Sequence, residues 1–170
     1  QNVAFLDGRP LPPAAVVDRL NRLLCADQQG DLYLTMIYAD VDLTDGTVEL
    51  VQAGHPHPLH LSRHHPPVWI GDGGFPVGMV ANATYPSVTL RLKPGDRLAI
   101  PSDGITECPG PTGDLGNDGL ALILQQNRSL RGEVLHDALR SGLADHAGTN
   151  DFPDDVSAVI FDYHGSHITA

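Results

Sequence analysis

Ile100-Pro101-Ser102-Asp103-Gly104-Ile105-Thr106-Glu107 is the most informative stretch of the chain, together with Asp154-Asp155-Val156-Ser157 further along. The first stretch follows an apolar run typical of a β-strand, and the second precedes another such run. An Asp is therefore predicted at the edge of each of two strands. Two carboxylates delivered from neighbouring strand ends are suitable ligands for a hard cation, and hard cations suit phosphate chemistry.

Each acidic segment also has a plainer interpretation. A Ser-Asp-Gly after a strand is usually a turn, because Asp and Gly are the residues that turns require. Asp154 and Asp155 before a strand are compatible with a solvated loop or with protection of a sheet edge. Adjacent carboxylates repel each other, however, and a bound cation removes that cost. The occurrence of both segments at predicted sheet ends favours a metal site.

Composition limits the class of protein. The chain has 170 residues, of which 41 % are hydrophobic, which suits one domain spanning residues 1–170 with a real core. Its 10 basic and 21 acidic side chains give a net charge of −11, which disfavours binding to nucleic acid or to an anionic membrane. Two distant cysteines, Cys25 and Cys108, indicate reduced thiols. We expect a cytoplasmic protein without signal peptide or membrane span.

Apolar spacing and turn residues predict the order of elements. A helix is expected over residues 12–24, ending near Gly30, and a hairpin over 32–41 and 47–53 turns at Thr44-Asp45-Gly46. Further strands are predicted at 59–61, 68–70, 87–92 and 97–101, helices at 120–126 and 133–144, and an apolar strand at 156–161 that is expected to be buried on both faces. Segregated strands and helices indicate an α+β sandwich rather than a parallel doubly wound sheet.

Five histidines crowd a short proline-rich segment: His55, His57, His60, His64 and His65. Imidazoles are common zinc ligands, but this run contains no Cys and no acid, so a surface loop is the favoured interpretation. His55 is the exception, since it follows a predicted strand and could pack beside the acidic site. The glycine-rich residues 71–74 lack the Lys of a phosphate loop, and no nucleophile elbow supports a Ser-His-Asp triad.

Five further segments occur in a characteristic order with the two acidic stretches already quoted: Pro13-Ala14-Ala15-Val16-Val17-Asp18-Arg19-Leu20-Asn21-Arg22-Leu23-Leu24, Leu34-Thr35-Met36-Ile37-Tyr38, Val51-Gln52-Ala53-Gly54-His55-Pro56-His57-Pro58-Leu59, Phe75-Pro76-Val77-Gly78 and Lys93-Pro94-Gly95-Asp96. With these segments the chain resembles the bacterial metal-dependent protein phosphatases of the PPM (PP2C-like) class. The resemblance is to the branch typified by the sporulation phosphatase SpoIIE and the stress-response phosphatase RsbU. It extends over residues 12–161, nearly the whole chain.

The resemblance implies an αββα sandwich of two mainly antiparallel sheets flanked by helices, with two Mn²⁺ or Mg²⁺ ions between the sheets. It implies that Asp103 and Asp154 are metal ligands and that Gly104, Asp155 and His55 lie beside them without binding the metal. Water activated by the cations would attack phosphorus in line, with no protein nucleophile. The implied substrate is a phosphoserine or phosphothreonine of a partner protein, such as an anti-sigma-factor antagonist. A receiver or sensor domain is expected upstream in the same protein.

The chain departs from the family in one respect. The family's Gly-Asp-Val-Ser-Gly-His-Gly segment, whose Asp bridges both metals, belongs upstream of the helix at Pro13 and is absent. Phe5-Leu6-Asp7-Gly8 is similar to an apolar-Asp-Gly ligand, so Asp7 is a further candidate, although it lies close to the helix and Arg9-Pro10 does not continue the pattern. We expect an N-terminally truncated phosphatase domain, or a divergent relative. The fragment is expected to hold a cation weakly and to be inactive.

Two alternatives remain open. A phosphatase-like adaptor domain of a response regulator in stress sigma-factor control would lack catalysis, which agrees with the missing upstream Asp. The retained Asp103 and Asp154 favour the enzyme instead. A His-rich metal carrier is the third and most distant interpretation.

Overall fold

The computed structural model describes residues 3–26 and 32–166. Within them, seven strands form two antiparallel sheets. The first sheet has the order β3-β4-β7 and consists of β3 (Met36–Val41), β4 (Thr47–Ala53) and β7 (Ser87–Arg91). The second has the order β11-β8-β5-β6 and consists of β5 (Leu59–Leu61), β6 (Val68–Trp69), β8 (Arg97–Pro101) and β11 (Ala158–Asp162).

Four helices and two small hairpins complete the described residues. The helices are α1 (Pro13–Ala26), α2 (Asp103–Thr106), α3 (Gly116–Gln126) and α4 (Gly132–Ala147). The hairpins pair β1 (Phe5–Leu6) with β2 (Arg9–Pro10) and β9 (Pro109–Gly110) with β10 (Gly113–Asp114). None of the described helices has the length and apolar character needed to cross a membrane.

Alternating side chains on the strands build the layers. In β4, Val48 and Leu50 pack in the cluster between the sheets, whereas Val51 and Ala53 pack in the cluster that contains Val17 of α1. In β8, likewise, one face joins the inter-sheet cluster and the other faces α3 and α4. This two-residue alternation places α1 outside one sheet and α3 with α4 outside the other. The predicted αββα sandwich is therefore confirmed.

The predicted hairpin is also confirmed, with Met36 opposite Ala53 and Val41 opposite Val48. Its first strand begins at Met36 rather than at residue 32, because Leu34 makes an isolated bridge to Val77 instead of pairing with β4. The helix at Pro13 forms as expected, while the expected stop at Gly30 lies outside the described residues.

The last strand differs from its prediction. β11 begins at Ala158 rather than Val156 and lies at the edge of the second sheet, with Val159 63 % exposed. The expectation that it is buried on both faces is therefore wrong. An apolar run indicates that a strand is buried. It does not show whether the strand is central or lies at an edge and is covered by helices on one face.

Candidate functional site

The two acidic segments lie side by side in the structure. The backbone N–H of Ser102, directly after β8, donates to the Ser157 carbonyl at 2.8 Å. The Ser157 N–H donates to the Ser102 hydroxyl oxygen at 3.0 Å, and that hydroxyl donates to the Asp155 carbonyl, also at 3.0 Å. These three bonds hold the end of β8 against the chain that leads into β11, so the predicted meeting of two strand ends occurs.

Gly104 allows the closest approach between the segments. A Cβ at this position would lie 2.4 Å from the Asp155 carbonyl oxygen and 3.5 Å from the Asp154 Cβ. Gly104 is buried at the second position of α2, the short helix that begins with Asp103. The absence of a side chain therefore lets α2 lie directly on the backbone of residues 154–155, which places Asp103 and Asp154 on touching segments.

Both carboxylates are exposed and are oriented by local backbone hydrogen bonds. Asp103 Oδ1 accepts from the Gly104 N–H at 3.0 Å, and Asp154 Oδ1 accepts from the Asp155 N–H at 2.7 Å. No Lys, Arg or His within residues 3–26 and 32–166 forms an ion pair with either carboxylate. Adjoining backbone therefore presents two acidic groups that have no cationic partner in the described part of the chain.

His55 brings the first sheet to the same place. It follows the end of β4, where Gly54 has φ +68° and lies against Pro76 so closely that a Cβ would be 2.6 Å from its ring. Burial lowers the pKa of the His55 imidazole, and the negative charge of Asp103 offsets part of this effect. His55 is therefore within electrostatic range of Asp103 and is neutral near pH 7.

Asp7 has a different environment. It is exposed in the β1–β2 turn, with φ +51°, and the hairpin is attached to α1 by a 3.2 Å hydrogen bond from Arg19 to the Phe5 carbonyl. None of the described hydrogen bonds or ion pairs links Asp7 to Asp103 or Asp154. In the described part of the chain, no three His, Cys, Asp or Glu side chains are grouped so that they could hold a metal ion.

The other histidines of the proline-rich segment do not converge. The His60 ring lies 3.0 Å from Asp96, the His57 ring lies 3.3 Å from the Ile70 carbonyl, and His64 and His65 are exposed. Asp96 is buried and also accepts from the Lys93 and Arg63 backbone N–H groups. The zinc interpretation therefore gains no support, and the Lys93-Pro94-Gly95-Asp96 motif has a structural explanation.

Beside the second acidic segment lies a groove of about 410 Å³. Asp154 and Asp155 form one side, and His136 and Arg140 of α4 form another, with Phe152 nearby. No sequence motif singles out the two α4 residues. Their spacing of four places them on one helix face, but that spacing alone does not reveal which element the face approaches.

Carboxylate oxygens are the ligand atoms that Mn²⁺ and Mg²⁺ prefer, so Asp103 and Asp154 fit such a cation in chemical type. In number, two carboxylates fall short of a complete coordination shell, which must then be filled by water or by further ligands. Asp103 and Asp154 therefore offer two of the ligands that a cation site would need.

A family model described as Stage II sporulation protein E (SpoIIE) matches residues 4–164. The chain belongs to the SpoIIE family. The resemblance seen in the ordered motifs is thereby confirmed, and with it the PP2C-like character of the domain. The match includes both acidic segments, the Ala-Gly-His segment after β4 and the β1–β2 hairpin.

Two curated relatives match much of the chain. Protein IcfG of Synechocystis sp. is 27 % identical over 144 residues, which are 83 % of this chain and 23 % of IcfG. Phosphoserine phosphatase RsbU of Bacillus subtilis is 24 % identical over 116 residues, 68 % of this chain and 35 % of RsbU. The chain thus spans between about a quarter and a third of the length of these relatives.

Solved structures agree in fold. The SiaA-PP2C domain of Pseudomonas aeruginosa superposes with a TM-score of 0.78 at 16 % identity, covering 92 % of this chain and 63 % of that one. The SpoIIE phosphatase domain of Bacillus subtilis, described as Mn presoaked, has a TM-score of 0.64 at 20 % identity, covering 91 % and 66 %. These matches establish the PP2C-like fold of the described residues.

Proposed function

We propose that this chain is the metal-binding part of a protein serine/threonine phosphatase domain in which Asp103 and Asp154 bind Mn²⁺ or Mg²⁺. The observation that carries the proposal is the contact between the two acidic segments through Ser102, Ser157 and Gly104. It holds, on adjoining backbone, two carboxylates that no cationic side chain of the described residues pairs.

Each residue of the site has a distinct task in this proposal. Asp103 and Asp154 would hold the cation, and the Asp155 N–H orients the Asp154 carboxylate by donating to Oδ1. Gly104 gives the space in which the two segments meet. His55, kept neutral by burial, adds no positive charge that would compete with the cation beside Asp103. A divalent cation, when bound, supplies water activation and neutralises charge on phosphoryl oxygens.

The substrate proposal rests on the relatives. RsbU and RsbP of Bacillus subtilis are named phosphoserine phosphatases. We therefore propose that the substrate is a phosphoserine or phosphothreonine of a partner protein, such as an anti-sigma-factor antagonist. We place the domain behind a receiver or sensor domain in a cytoplasmic signalling protein.

Mn²⁺ binding to the chain tests the ligand assignment directly. Titration followed by the EPR signal of free Mn²⁺ should show weak binding that falls at least about tenfold in Asp103→Asn and in Asp154→Asn. Asp40→Asn is the matched control, because Asp40 is exposed in β3 opposite Glu49, towards the end of the hairpin away from His55. Equal Mn²⁺ affinity in wild type and both site variants would refute the assignment.

The adaptor function is the second candidate, and the incomplete ligand set among the described residues favours it. Hydrolysis of p-nitrophenyl phosphate and of a phosphoserine protein by the full-length protein with Mn²⁺ separates the two functions. Turnover that Asp103→Ala abolishes and Asp40→Asn retains supports the phosphatase. Retention of a purified anti-sigma-factor antagonist without turnover in Mn²⁺ or Mg²⁺ supports the adaptor.

A further inference from the structure

A second cleft, of about 420 Å³, lies at the other end of β8. Arg97, the first residue of β8, contributes to its wall, whereas Asp103 follows the last residue of that strand. Five strand residues at roughly 3.3 Å each separate the two places by about 16 Å. This cleft is therefore separate from the candidate metal site.

The cleft concentrates positive charge in an acidic chain. Four of the ten Lys and Arg residues line it: Arg63, Arg97, Arg128 and Arg131. No Asp or Glu of the described residues is among its lining residues. The four arginines come from the loop after β5, from β8 and from the α3–α4 connection, so only the fold brings them together. A net charge of −11 makes such a local excess stand out against the rest of the surface.

Two of the arginines are engaged in holding the structure. Arg97 is 3 % exposed and donates to both carboxylate oxygens of Asp162, at 2.8 and 3.3 Å, and to the Leu130 carbonyl at 2.6 Å. Arg131 approaches the same Asp162 at 3.3 Å. One carboxylate therefore serves two guanidinium groups, which leaves the wall of the cleft positive.

The other two arginines carry charge that no described carboxylate pairs. Arg63 and Arg128 are exposed and form no ion pair in the described part of the chain. An Arg128 N–H donates to the Arg63 carbonyl at 2.9 Å, which joins the two loops across the cleft. The Arg63 guanidinium lies over Gly95, where a Cβ would be 2.7 Å from Nε. Both side chains are thereby kept at the cleft.

We propose that this arginine cleft binds a small phosphate-bearing anion, with Arg63 and Arg128 as its main ligands. Planar guanidinium groups match phosphate oxygens with paired hydrogen bonds, which is why arginine clusters recognise this group. The hydroxyl groups of Ser62 and Ser129, which also line the cleft, add neutral hydrogen-bonding capacity. The volume suits a small molecule. The site is independent of the proposed phosphatase chemistry.

Inorganic phosphate is the probe that tests the cleft. Amide chemical shifts of the chain are followed during titration in metal-free buffer with EDTA at constant ionic strength. We expect saturable shifts at Arg63, Ser129 and Arg131, and unchanged phosphate affinity in Asp103→Asn. The double variant Arg63→Gln/Arg128→Gln should lose at least about tenfold in affinity.

Matched variants separate ligand loss from misfolding. The double variant Arg19→Gln/Arg22→Gln removes two positive charges from α1, as many as Arg63→Gln/Arg128→Gln removes from the cleft, and should bind phosphate as wild type does. Arg63→Lys keeps the positive charge and should lose less phosphate affinity than Arg63→Gln. The proposal is overturned if wild type shows no saturable shift, or if the Arg63 and Arg128 variants retain wild-type affinity. Shifts centred on Asp103 and Asp154 instead of the cleft would overturn it as well.

Discussion

Gly104→Ala should damage the fold and the candidate metal site together. The new Cβ would stand 2.4 Å from the Asp155 carbonyl oxygen, whereas carbon–oxygen contacts of this kind are normally about 3.3 Å or longer. The two segments must therefore move apart by about 1 Å. That movement strains the hydrogen bonds that Ser102 makes with Asp155 and Ser157.

Two opposing terms set the size of the effect. Overpacking of this kind costs about 1–3 kcal/mol, and the clash is with backbone, which cannot rotate away. Ala is favoured over Gly in a helix by up to about 1 kcal/mol, and Gly104 does not occupy the left-handed region, so this gain is available. The net loss should be about 1–2 kcal/mol of unfolding free energy, with a parallel loss of Mn²⁺ affinity.

Urea unfolding and Mn²⁺ titration measure the two effects. Gly119→Ala in α3 is the matched control, since its Cβ would meet the flexible end of Leu115 at 2.6 Å rather than backbone. We expect the control to be neutral or slightly stabilising and to bind Mn²⁺ as wild type does. If Gly104→Ala unfolds at the wild-type urea midpoint and keeps its Mn²⁺ affinity, the close approach at Gly104 does not organise the site.

Three further substitutions test the core and its buried charges. Leu50→Ala, at a fully buried position between the sheets, should cost about 2–5 kcal/mol in urea unfolding. Arg97→Met should cost about 2–3 kcal/mol, because Asp162 then keeps only its more distant arginine partner. Burial tends to raise the pKa of Asp96, but its hydrogen bonds, including that from His60, bring it below the ordinary value. The stability it contributes is therefore present above pH 4 and is lost as pH falls through the lowered pKa, so Asp96→Asn should flatten the acid limb of the pH–stability curve.

Each of these expectations has a clear contrary outcome. A loss below about 1 kcal/mol for Leu50→Ala would mean that the sheets do not pack as described. Unchanged stability in Arg97→Met would mean that its buried ion pair contributes nothing to folding. An acid limb as steep in Asp96→Asn as in wild type would assign that limb to other carboxylates.

Local pattern was sufficient for most elements. The β3–β4 hairpin follows from its β-rich strands and the turn at Thr44-Asp45-Gly46, and α1 follows from apolar residues at helical spacing after Pro12. The β1–β2 hairpin was missed because its strands have two residues each, too few to show a period. The edge position of β11 was missed because a strand's neighbours are chosen by long-range packing rather than by its own residues.

The order of elements, the α+β class and the family can be predicted from the residues alone, since they rest on local periodicity and on motifs in a fixed order. The motifs also single out Asp103 and Asp154 as a pair. Packing between distant segments holds the pair in place, through Gly104 against the Asp155 backbone, and gathers other charges elsewhere, so neither could be predicted from local pattern. Arg63, Arg97 and Arg128 are far apart in sequence, and only the packing of strands and helices assembles them into one cleft.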